Sequence, residues 1–201
     1  MFNANQIKQV NELNSSKYDS LWSSVIYGSK ETGEYINWKQ TDPKWSNIRV
    51  GNSNGTLGKI GCLITSISIL IKKSGIETNI VNFNPGTFLE ALNKNNSFDM
   101  YGNLQYAGLN KTIPNFNYVG NINLRDKTKE EKRNLIKEYL DKGYYLSVEV
   151  LGATDSSQHW VAITGVNNNS VSIVDPSTNA NDLWSSYEWN KTSQFNYFKA
   201  K

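Results

Sequence analysis

An α+β fold, with helices packed against an antiparallel sheet, is what this sequence predicts, and three observations predict it. Up to Gly143 the apolar residues recur at helical spacing and the helices carry recognisable start and stop signals. After Gly143 the apolar period changes to two. The period-two segments are short and separated by polar or Asn-rich turns, as in antiparallel hairpins.

Residues 1–34 are polar, rich in Ser and Asn, and end in GSKETG, so they are set apart as an N-terminal extension or linker. The organised domain runs over 35–201. From Cys62, the run CLITSISILIKKSG places Leu63, Ile67, Leu70 and Ile71 on one helical face, with Lys72 and Lys73 in the last turn and Gly75 beyond it. That run is rich in β-branched residues, which on propensity alone favours a strand. The Lys-Lys-Ser-Gly ending favours helix. Thr87 with Glu90 reads as a capping box ahead of FLEALNKN, and Thr128 with Glu131 as another ahead of KRNLIKEYLDKG. In the latter, Leu135, Ile136, Tyr139 and Leu140 form the apolar face and Gly143 the stop. YYLSVEVLG, HWVAITGV and SVSIVDP follow as strands. The aromatic C-terminus (Trp184, Tyr187, Trp189, Phe195, Tyr197, Phe198) is expected to pack back on the sheet.

A chain of 201 residues can bury a full core without a disulfide or metal to hold it. Its 21 basic and 18 acidic residues give a net charge of +3 with no dense Lys/Arg run, which argues against nucleic-acid binding. No stretch approaches the roughly 18 uninterrupted apolar residues of a membrane span, and the N-terminal MFNANQIKQVNELNSS lacks the apolar core of a secretory signal. The expected location is therefore cytoplasmic, or outside the cell by lysis, a tail-like particle, a non-signal exporter or a partner domain. Abundant Asn and Ile, with Lys far exceeding Arg, indicate AT-rich codons and hence a low-GC bacterium or its phage.

The single cysteine excludes an intramolecular disulfide, so Cys62 is either a small buried hydrophobe or a reactive thiol. It follows the Gly-containing loop GTLGKIG and sits where a helix should begin. The unpaired N–H groups there favour thiolate over thiol and can hold an oxyanion. His159, the only histidine, opens a strand next to a polar loop, where a rigid element can project it into a cleft. One His and one Cys without a ligand-spaced partner make a structural metal site unexpected, and nothing calls for a cofactor. If 159–166 and 170–175 pair across a turn at Asn167–Asn169, Asp175 returns beside His159. There it can orient the imidazole and stabilise its protonated form; alternatively, Asp175-Pro176 only starts a turn.

Cys, then His, then Asp is the chain order of papain-like peptidases, and three segments resemble the peptidase C39-like family. Gln40-Thr41-Asp42-Pro43-Lys44-Trp45 is similar to its Gln-x-Asp-Pro-x-Trp opening. Gly61-Cys62-Leu63-Ile64-Thr65-Ser66 is similar to its Gly-Cys-x-x-Thr-Ser nucleophile segment. His159 to Val166, followed by Val174-Asp175-Pro176, is similar to its His and Asp segment. The resemblance frames residues about 36–180. It implies a papain-like fold, with the nucleophile helix packed on a C-terminal antiparallel sheet. It also implies Cys62 as nucleophile, His159 as general base, Asp175 as orienting group and Gln40 as an oxyanion-hole donor beside the Cys62 backbone N–H. Asp42, Pro43 and Trp45 are expected to shape the turn, and Trp160 to pack in the core. Family members that process leader peptides carry membrane transporter domains, which this chain lacks, so a free peptidase acting on a peptide or peptidoglycan peptide is implied. CHAP amidases and NlpC/P60 endopeptidases share the Cys-then-His order. Here, however, NlpC/P60's Asp-Cys-Ser-Gly is absent, and Asp175-Pro176 departs from CHAP's Glu or Asn. A non-catalytic peptide- or wall-binding module and a toxin-like effector are the further alternatives.

Overall fold

A computed structural model describes residues 33–151, 157–167 and 169–201. After a short 3-10 turn, a one-turn helix α1 (Leu57–Ile60) leads into α2 (Cys62–Ser74). Residues Ile64 to Ile71 of α2 are all buried, and Leu63 only partly. The expected one-sided stripe is thus a helix enclosed on nearly every side, which is why its sequence carries the strand-like excess of isoleucine. Burying Ile67, Ile69, Leu70 and Ile71 completely contributes about 1.5–3 kcal/mol each. Gly75 ends the helix at φ 71°, a left-handed conformation that glycine adopts without a Cβ penalty.

Helix α3 (Pro85–Lys94) starts earlier than expected. Asn84 is its N-cap, accepting from the N–H groups of Gly86 and Thr87, and the box partner is the Thr87 hydroxyl rather than Glu90. Proline at the first helical position fixes the start, so Thr87 falls inside the first turn. Helix α4 (Tyr106–Thr112) and strand β1 (Phe116–Asn123) follow. Then α5 (Lys129–Asp141) begins at the expected capping box: Thr128 Oγ1 accepts from Glu131 N–H, and Glu131 Oε2 accepts from Thr128 N–H. Ile136 is fully buried on its apolar face. So is Lys132, whose ammonium donates to the carbonyls of Trp189 and Thr192 at 2.9 and 2.7 Å.

The expected strands form as β2 (Tyr145–Leu151), β3 (Gln158–Val166) and β4 (Val171–Val174). A one-turn helix α6 (Leu183–Ser186) and β5 (Thr192–Ala200) complete the chain. Among the described residues these strands make one antiparallel sheet in the order β1-β5-β2-β3-β4. Two corrections to the sequence expectation follow. Strands do not all come last, because β1 precedes α5. The C-terminal aromatic segment does not merely cover the sheet; it enters it as β5, between β1 and β2, with Phe195 and Phe198 fully buried.

Alternation along these strands feeds two hydrophobic clusters, one on each face. Ala162, Val174 and Phe198 join the residues of α2, α3 and α4; Val148, Val150, Val161, Ile163 and Phe195 join Ile136 of α5 and Leu183 of α6. No described helix is long and apolar enough to cross a membrane. The expected N-terminal extension lies outside the described residues except for Gly33 and Glu34, as does most of the polar loop before His159.

Candidate active site

Cys62 is the first residue of α2, so its backbone N–H and those of the next two residues have no partner within the helix. Gly61 is needed there for close packing. A Cβ on it would lie 2.4 Å from the Leu57 carbonyl oxygen, while its own N–H donates to that oxygen at 2.9 Å. The turn of α1 thereby delivers the thiol to the helix start, where it is partly exposed. One turn further on, Ser66 Oγ donates to the Trp160 carbonyl at 2.9 Å, fixing α2 against β3 beside His159. Trp160 itself is buried, as expected.

His159 Nε2 meets Asp175 Oδ1 at 2.9 Å, and Cys62 lies near enough to the imidazole to act on its pKa. The structure thus brings Cys62, His159 and Asp175 together, with a hydrogen bond from His159 to Asp175. Burial pushes the imidazole pKa down, but the hydrogen bonds to Asp175 and Cys62 and their charges outweigh it, raising His159 to about 9. Asp175 is fully buried. Burial pushes its carboxyl up, yet the bonds from His159, Tyr187, the Ser177 N–H and Thr178 hold it well below the usual carboxylate range. Ser177 N–H reaches Oδ1 at 2.7 Å and Thr178 Oγ1 reaches Oδ2 at 2.7 Å. The Tyr187 hydroxyl also donates to Oδ2, and its ring lies 6.0 Å from the imidazole. Asp175-Pro176 does start a turn, so the two readings of that dipeptide coexist: the turn's own N–H and hydroxyl groups cradle the carboxylate.

Gln40 is buried and held from three directions. Its N–H donates to Pro176 O at 2.8 Å, its Nε2 to Gly58 O at 3.0 Å, and its Oε1 accepts from Ser177 Oγ at 3.1 Å. The amide orientation is therefore set, with one Nε2 proton left over beside the Cys62 loop. The preceding Lys39 donates through Nζ to the Asp175 carbonyl at 2.8 Å. Asp42 and Trp45 build the turn that follows: Lys44 N–H donates to Asp42 Oδ1, and the Trp45 indole N–H donates to Lys39 O at 2.7 Å.

Sequence reasoning missed Ser66, Ser177, Thr178 and Tyr187. Ser and Thr two and three residues after an Asp are a local signal for a side-chain-capped turn and could have revealed two of them. Nothing local marks Tyr187. Among the described residues no group of three or more His, Cys, Asp or Glu is placed to hold a metal ion. What the arrangement can do is deprotonate a thiol at a helix start and hold the resulting imidazolium against a buried carboxylate.

The family model described as the Peptidase_C39 like family matches residues 27–201. No curated protein matches the chain. Among solved structures, one of a Bacillus anthracis protein classed as a C39-like peptidase aligns with a TM-score of 0.43 and 14% identity, over 83% of this chain and 96% of that one.

Proposed function

The chain belongs to the peptidase C39-like family, and on that premise we propose that it is a cysteine peptidase acting on peptide bonds of the bacterial cell wall. The observation that carries the reading is the hydrogen bond from His159 to the buried Asp175, with Cys62 beside the same imidazole. In this proposal His159 takes the Cys62 proton and Sγ attacks the scissile carbonyl carbon. The carbonyl oxygen becomes an oxyanion held by the free Nε2 proton of Gln40 and the Cys62 N–H, neither of which titrates. His159 then gives its proton to the leaving amine, which departs as the C–N bond breaks and a thioester remains. A water, deprotonated by His159, attacks the thioester; the acid product leaves and the thiol is restored. Asp175 keeps the imidazole oriented and stabilises its protonated form throughout.

Peptidoglycan stem or cross-bridge peptide is the favoured substrate over ordinary protein. A low-GC bacterial or phage composition supports that choice.

Turnover of purified peptidoglycan and of peptide libraries, with intact-mass labelling by iodoacetamide across pH, tests the proposal. Cys62→Ala is expected to abolish turnover with an unchanged circular dichroism spectrum. In the unaltered protein, iodoacetamide should label Cys62 without denaturant, and labelling should weaken in His159→Ala. Full activity in Cys62→Ala would end the mechanism.

A further inference from the structure

Glu149 is a buried carboxylate that the mechanism does not use. It is 5% exposed. Its Oε1 accepts from Gln158 Nε2 at 2.7 Å and its Oε2 from Gln194 Nε2, both neutral amides. The surface ion pairs and that of His159 lie elsewhere, and no Lys, Arg or His among the described residues pairs with Glu149. Buried carboxylates are ordinarily matched by a cation or a metal. Two amide donors satisfy hydrogen bonding without cancelling charge. A carboxylate has room for about four such bonds, so an ammonium can join without displacing either amide.

Its place in the sheet gives the missing charge a source. Glu149 is the Cα partner of Trp160 on β3 and of Gln194 on β5, and the next residue, Val150, is the partner of His159. Val148 and Val150 face the α5 cluster, so alternation puts Glu149 on the opposite face. That is the face of Ser147, whose partner Ala162 packs in the cluster around α2. The N-terminal turns of α2 lie over this end of the sheet, because Ser66 bonds the carbonyl of Trp160 and Cys62 is one turn earlier. On the other side, Asn196 Nδ2 donates to Tyr106 Oη at the start of α4. Glu149 therefore forms part of the floor between the starts of two helices, at the same end of the sheet as Cys62 and His159, with Gln158 exposed at its margin. Ile60, two residues before Cys62, is 42% exposed, and Gly102 of the neighbouring turn lies against it.

We propose that Glu149 recognises an ammonium group of the substrate, carried on a basic side chain within two residues of the scissile bond. This rests on the peptidase reading above. It makes the substrate a peptide with a lysine or another diamino acid next to the cleaved bond.

Paired fluorogenic peptides that differ only by lysine or norleucine at each position around the cleaved bond test it. The expected result is a lysine preference in kcat/KM of about 10- to 100-fold at one position, the size of a charge-assisted hydrogen bond. Glu149→Gln, which keeps shape and removes charge, should bring that ratio to within about threefold. Muropeptides with meso-diaminopimelate, run beside the lysine peptides, distinguish a cell-wall diamino acid from ordinary lysine. No lysine preference at any position in the unaltered protein overturns the proposal, whatever the fate of the variant's fold. A preference that survives in a folded Glu149→Gln overturns it too. Calorimetric titration of Cys62→Ala with the same pairs reads recognition without turnover. Lysine preference in binding with no hydrolysis by the unaltered protein would sink the peptidase reading and leave Glu149 standing; hydrolysis without that preference would do the reverse.

Discussion

Replacing Asp175 with asparagine probes the centre of the site, and the chain's single histidine makes the effect directly readable. His159 is raised from its ordinary value near 6.5 to about 9, in spite of burial, which acts the other way. That difference is worth about 3 kcal/mol in favour of imidazolium. The hydrogen bond and charge of Asp175, followed by those of Cys62, are its cause. Asparagine fits the same cradle. Its oxygen can still take the Ser177 N–H, and its Nδ2 can face the hydroxyls of Thr178 and Tyr187, which are able to turn and accept. Only the charge is lost, while burial remains. The His159 midpoint should therefore fall to about 6.5 or lower. Cys62→Ala should lower it by less. Proton–carbon NMR of the His159 Hε1 signal in untagged protein gives the midpoint, and the alkaline limb of kcat/KM should move down with it. A midpoint in Asp175→Asn within about half a pH unit of the unaltered protein would refute the reasoning, since Asp175 would then not be the main support of the imidazolium.

The same pair sets a pH window for stability. His159, raised in the folded state, stabilises fully below about pH 6.5 and loses that contribution as pH rises toward about 9. Asp175, depressed in the folded state, contributes above the ordinary carboxylate value and loses it as pH falls through the acid range. Urea unfolding should thus show the pair's contribution greatest between about pH 4 and 6.5, and Asp175→Asn should flatten the decline on the alkaline side. Tyr187→Phe keeps the ring over His159 and removes one donor from a buried carboxylate, so it should cost about 1.5–3 kcal/mol in denaturant unfolding. Asp175 becomes more basic in that variant, so the His159 midpoint should not fall; unchanged stability would show the hydroxyl to be idle. Gln40→Ala should lower kcat by about 10²–10³ with less effect on KM, as loss of one oxyanion donor does. An equal loss in KM alone would assign Gln40 to ground-state binding.

How much of this was legible depended on whether the cause is local. The α5 capping box is written in four consecutive residues, and a count outward from an Asn-rich turn brings Asp175 to the His159 end of the β3–β4 hairpin, though it does not give the register shift between Ile163 and Gly165. Helix α3 was misplaced because Asn84-Pro85 outranks Thr87 as a start signal, a competition between two plausible caps. Strand β5 was underestimated because its fate rests on partners far away in sequence, β1 and β2. Tyr187 lies outside any motif, on the short stretch between α6 and β5, and only the folded chain carries its hydroxyl to Asp175.

Two buried carboxylates occupy the catalytic half of the sheet, and their surroundings differ in a way that bears on function. Asp175 is closed on all sides: the imidazole meets one oxygen, the turn's N–H groups and hydroxyls fill the rest, and Gln40 and Lys39 clamp the backbone around it. Those contacts bridge more than 130 residues, |i−j| being 137 for Ser177–Gln40 and 136 for Lys39–Asp175, so the arrangement exists only in the completed fold. Its charge is matched before any substrate arrives, which is the preorganisation that acyl transfer needs. Glu149 has its hydrogen bonds but no opposite charge among the described residues. A carboxylate needed only to tie β2 to β3 and β5 would add little, since backbone ladders already join those strands. Leaving a negative charge there without a partner is costly in the free protein, and that cost is recovered when a cation binds. The difference between the closed carboxylate and the open one is thus the physical basis for assigning chemistry to Asp175 and selection to Glu149.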